Sequence, residues 1–69
     1  MTTTEYTVTG MTCGHCEMSV REEVSEIAGV ESVQVSHADG KLVVNATTEV
    51  SDEQVFAAVT EAGYSAVRA

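Results

Sequence analysis

Polar and apolar residues alternate through Thr4-Glu5-Tyr6-Thr7-Val8-Thr9, with Tyr6 and Val8 on one side. A period of two belongs to a half-buried strand, because successive side chains of extended backbone leave from opposite faces. Gly10 closes this segment. From Gly14 the period lengthens: Val20, Val24 and Ile27 recur at i, i+4, i+7, and Cys16 lies one turn before Val20. Arg21, Glu22, Glu23 and Glu26 fall off that stripe. The spacing predicts an amphipathic helix over 14–27, with Gly29 as its stop. Alternation returns over 31–36, where Val33 and Val35 share a face, and over 41–46, where Leu42 and Val44 point inward and Val43 outward. Between them, His37-Ala38-Asp39-Gly40 predicts a hairpin turn with Asp39-Gly40 as its dipeptide. Ser51, with Gln54 three residues on, reads as a capping box, and Asp52 and Glu53 add favourable first-turn charge. Val55, Ala58, Val59 and Ala62 mark a second amphipathic helix ended by Gly63, with Phe56 off its stripe and unassigned. A short last strand follows over 64–68.

The predicted order is strand, helix, strand, strand, helix, strand. Two βαβ units with right-handed crossovers around an antiparallel hairpin give an α+β, ferredoxin-like sandwich. Its four-stranded antiparallel sheet carries both helices on one face. The other face is expected to present Thr7, Thr9, Gln34 and Val43 and to be largely polar. No linker or low-complexity segment interrupts the chain, so residues 1–69 are expected to form one domain.

Size narrows the possibilities. A chain of 69 residues buries about 60% of its unfolded surface, enough for one thin core. A large multi-substrate enzyme is excluded. Charge narrows them further: 3 basic residues against 11 acidic give a net charge of −8. Nucleic acid and anionic membranes are poor partners for such a surface, and a partner with a positive face is favoured. Glu22, Glu23 and Glu26 read as a solvated helix face. No apolar run is long enough for a membrane span or a signal-peptide core. The opening Met1-Thr2-Thr3-Thr4-Glu5 carries no cationic segment, so a cytoplasmic location is expected. Two cysteines in a small cytoplasmic domain point to reduced ligands or a redox pair rather than a structural staple.

The chemistry gathers in Gly10-Met11-Thr12-Cys13-Gly14-His15-Cys16, which spans the turn from the first strand into the first helix. Cys13 belongs to the loop and Cys16 to the first helical turn, so the two thiols converge. Unpaired N–H groups and the positive end of the helix dipole favour thiolate there. Two cysteines cannot complete a four-cysteine or three-cysteine, one-histidine zinc site. Cu(I) is soft and is satisfied by two sulfurs. A two-sulfur site also stays open to a third thiolate, which is what hand-over of the ion requires.

This motif, the Gly29-Val30 after the first helix and Ala62-Gly63-Tyr64 before the last strand resemble the heavy-metal-associated domain. Within that family the chain is similar to bacterial copper chaperones of the CopZ type, over essentially Tyr6 to Val67. The resemblance implies a non-enzymatic, cytosolic Cu(I) carrier with Cys13 and Cys16 as ligands. It implies delivery to the metal-binding domains of a copper-exporting P-type ATPase, with a copper-responsive regulator as a second partner. It implies a monomer without copper and a dimer when copper bridges two such motifs. Met11 reads by its letters as a thioether ligand, whereas the resemblance makes it a core residue beneath the loop. Tyr64 corresponds to the aromatic beside the metal loop. His15 is expected to tune the thiols rather than to ligate. His37 reads as a surface turn residue and Glu17 as a solvated one.

Other readings start from the same residues. Cys-Gly-His-Cys is also the tetrapeptide of disulfide isomerases, but the chain has no Trp before the motif, no Pro to face it, and too little length for that fold. A module cut from a P-type ATPase is a second alternative, against which the Met start and the end just after the last strand favour a free-standing protein. A zinc carrier is a third; similar zinc-handling members add carboxylates to the metal loop.

Overall fold

A computed structural model describes residues 2–11 and 14–69. The elements are β1 (Thr2–Thr9), α1 (Gly14–Ser25), β2 (Val30–Ser36), β3 (Lys41–Ala46), α2 (Asp52–Glu61) and β4 (Ser65–Arg68). The sheet order is β2-β3-β1-β4 with every neighbouring pair antiparallel. This is the ferredoxin-like arrangement that the alternation and crossovers predict. Tyr6, Val8, Leu42 and Val44 face inward and meet Cys16, Val20 and Val24 from α1 and Val55, Ala58 and Val59 from α2 in one core. Both helices therefore cover the same face of the sheet. On the other face, Val43 sits between Glu5 and Gln34 in register, and Val67 beside Thr7. Val67 is 59% exposed, an apolar position that the reading of this face as largely polar omitted.

Local chemistry accounts for the boundaries. α2 starts at a complete capping box: the Ser51 hydroxyl accepts from the Gln54 N–H, and the Gln54 side chain accepts from the Ser51 N–H. It ends in a Schellman motif, in which the Gly63 N–H donates to Thr60 and the Tyr64 N–H to Val59. Gly63 takes the positive φ of 97° that this motif needs. α1 is shorter than its hydrophobic stripe. Its last turn tightens into i→i−3 bonds, Glu26 to Glu23 and Ile27 to Val24, so Ile27 packs on the core from outside the helix. The hairpin turn occupies the four residues expected, His37 to Gly40. Ser36 pairs with Lys41, which leaves a four-residue loop. Gly40 has a φ of 66°, but Asp39 does not share a positive φ, and a type I′ turn needs it at both positions.

Phe56 finds its place against Tyr6, with ring centroids 5.8 Å apart in an edge-on arrangement. The Tyr6 hydroxyl donates to Asp52 at 2.8 Å, and Arg68 donates to both oxygens of the same carboxylate. This contact ties β1, the first turn of α2 and β4 together. Burial, reinforced by Asp52, pushes the Tyr6 phenol up to about 12.

Candidate metal centre

β1 delivers the chain to Gly10, whose φ of 98° turns it out of the sheet. A side chain there would also approach the Tyr64 ring to 3.2 Å, so glycine answers both the turn and the close packing. Met11 then drops inward, 8% exposed, as a member of the core. Thr12 and Cys13 lie outside the described residues. α1 begins at Gly14, and His15, its second residue, is exposed. Cys16 is 8% exposed and shares the core-facing stripe with Val20 and Val24. Helical periodicity thus turns Cys16 inward and His15 outward.

The fold brings Met11 and Cys16 into the core, with Tyr64 packed against it beside Gly10. It does not bring His15 there. The positive end of the α1 dipole lies at Gly14, two residues before Cys16, and favours negative charge on that sulfur. Among the described residues, no group of three or more His, Cys, Asp or Glu side chains is placed to hold a metal ion.

The neighbourhood contains one pair that the sequence did not reveal. Glu17, in the first turn of α1, accepts from the His37 backbone N–H and from His37 Nδ1, each at 2.6 Å from Oε2. The His37 amide, followed by its ring, holds the Glu17 carboxyl below the usual range. Glu17 is therefore not the solvated residue that its helical position suggested, and His37 is a turn residue with a specific partner. The hairpin reaches α1 because its end lies beside β1: the Val8 N–H donates to the Gly40 carbonyl at 2.7 Å. The signal available in the sequence was topological, a turn histidine and a first-turn glutamate at the same end of the sheet, 20 residues apart.

Known proteins with this sequence pattern bind metals. The heavy-metal-associated domain family matches residues 5–65. The chain is 47% identical over 58 residues to the zinc/cadmium/lead-transporting P-type ATPase of Shigella sonnei, covering 84% of this chain and 8% of that one. It is 36% identical over 63 residues to the copper chaperone CopZ of Enterococcus hirae, covering 90% of this chain and 91% of the chaperone. The solution structure of the N-terminal domain of ZntA in the apo form superimposes with a TM-score of 0.88 at 40% identity, covering 99% of this chain and 92% of that one.

Proposed function

The chain belongs to the heavy-metal-associated domain family, and we propose that within this metal-binding, non-catalytic family it carries Cu(I) in the cytoplasm. Cys13 and Cys16 supply the two sulfurs. Two thiolates and one Cu(I) carry a net charge of −1, which the N-terminus of α1 offsets. The observation behind this reading is the corner itself. Cys16 stands at the edge of the core in the first helical turn, while the adjacent carboxylate of Glu17 is turned away to His37. The sulfurs of the motif are its soft donors. Met11 supports the loop from within the core, Tyr64 packs beside it, and His15 tunes the sulfurs from the surface.

Transfer proceeds by ligand exchange. An incoming thiolate adds to the two-coordinate ion, and one resident thiolate leaves. The recipient is a metal-binding domain of a copper-transporting P-type ATPase, with a copper-responsive regulator as a second acceptor. The carrier is a monomer without copper, and two copies can share the ion as a dimer. The match along 91% of CopZ supports a free carrier. The chain spans only 8% of the first-matched ATPases, so a module of such a pump is the alternative.

The higher identity to the zinc/cadmium/lead ATPase favours a second reading, a divalent cargo. Zn(II) needs four ligands and would have to recruit oxygen or nitrogen donors. Anaerobic titration against a competing Cu(I) chelator tests the first reading. One equivalent of Cu(I) is expected to bind, and Cys13→Ser is expected to weaken it by at least about tenfold, the scale of a lost metal ligand. Undiminished binding in the variant rejects the site. X-ray absorption showing only sulfur around copper supports Cu(I) transport. Tighter Zn(II) binding with oxygen or nitrogen in its shell supports the divalent reading.

A further inference from the structure

We propose that Glu17 and His37 form a clamp that holds the first turn of α1 against the β2–β3 hairpin and thereby positions Cys16. The first turn of a helix is held by fewer bonds within the helix than its interior, so contacts to neighbouring elements decide how firmly it sits. In α1 that turn contains Cys16 and, one residue on, Glu17. Both donors of His37 converge on a single Glu17 oxygen at 2.6 Å. A carboxylate only accepts, so Nδ1 carries the ring proton in this contact. The clamp's backbone half is independent of the side chain at position 37, and its ring half is not.

The side chains are only partly covered, 40% exposed for His37 and 22% for Glu17. The contact therefore does little for global stability, as surface pairs generally do. Its effect is local. It fastens the helix within one residue of the sulfur to a hairpin that is itself bonded to β1 through Gly40. Opening of the first turn would release Cys16 from the core edge, and the clamp opposes that opening. Under the copper-carrier reading, on which only this consequence rests, the clamp keeps one sulfur stationary while the cargo changes hands. It also keeps the nearest carboxylate in sequence off the ion.

The test needs no metal, so its result is separable from that of the copper titration. In apo protein carrying Cys13→Ser, Cys16 is the only thiol, and its alkylation rate at fixed pH reports opening of the turn. Glu17→Ala loses both bonds and is expected to raise that rate by more than about fivefold, the factor set by one ordinary hydrogen bond. His37→Ala is expected to raise it less, because the amide of residue 37 still reaches Glu17. Glu17→Gln is expected to stay within about twofold of the parent, because the amide oxygen accepts the same bonds without the charge. Hydrogen exchange at the residue 37 amide should follow the same order. An unchanged rate in Glu17→Ala overturns the clamp. A Glu17→Gln rate equal to that of Glu17→Ala also overturns it, since charge beside the thiol would then control reactivity. If Glu17→Ala does not fold, His37→Ala and Glu17→Gln still decide: equal rates in those two and the parent overturn the proposal.

Discussion

Replacing Tyr6 with Phe should produce stability curves that cross as pH rises. Tyr6 is 1% exposed, and its hydroxyl donates to Asp52 at 2.8 Å. The ring keeps its packing against Phe56 in the variant. Asp52 is not stranded either, because Arg68 still donates to it at 2.9 Å and 40% of its side chain is exposed. The loss is therefore one net hydrogen bond, about 1 kcal/mol at pH 8. Ionisation acts the other way. The phenol titrates near 10.0 when unfolded and is pushed up to about 12 in the fold, first by burial and then by Asp52. A folded-state pKa above the unfolded value means that the stabilisation is complete below pH 10 and is lost as pH rises toward 12. Two units correspond to at most ~2.7 kcal/mol, and about 2 kcal/mol once the surface position of Asp52 is allowed for. Phe cannot ionise, so Tyr6→Phe escapes this loss. The wild type should be the more stable protein at pH 8 and the less stable at pH 12, with equality near pH ~10.7. Urea unfolding of both proteins at several pH values measures the difference, and every other titrating group cancels in it. Parallel curves from pH 9 to 12 would refute the upward push that burial and Asp52 give the Tyr6 phenol.

Two further substitutions test how the elements are bounded. Ser51→Ala removes the hydroxyl arm of the capping box on α2 and leaves the residue 51 N–H on the Gln54 side chain; it should cost about 1 kcal/mol in urea unfolding, and an unchanged midpoint would show that the hydroxyl cap contributes nothing. Gly10→Ala forces a side chain into a φ of 98° and to 3.2 Å from the Tyr64 ring. It should cost about 1–2 kcal/mol and shift the Tyr64 ring resonances, and unmoved resonances would contradict the packing of this ring against Gly10.

The corner that holds Cys16 owes its form to the core beneath it. Met11 enters from the loop, Cys16 from the helix, and Tyr64 from the Schellman turn that ends α2. Each is placed by an element whose own boundary has a local cause: a glycine turn at Gly10, helical periodicity in α1, and Gly63 after α2. The sulfur of Cys16 is therefore carried by a rigid scaffold, although the motif itself spans a connection between elements.

Residue spacing was enough to place all six elements, the capping box at Ser51, the inward set from Tyr6 to Val59, and Cys16 in the first turn of α1. These features depend on residues within about one turn or one strand of each other, where backbone geometry converts spacing into direction. The tertiary structure decided what depends on distant residues. Phe56 was unassigned by its stripe until β1 brought Tyr6 beside it, and Asp52 looked like first-turn charge until Tyr6 and Arg68 met on it. Glu17 looked solvated until the hairpin folded back onto it. A side chain's partner across the sheet is set by how the strands order and pack, and one-dimensional spacing contains no term for that.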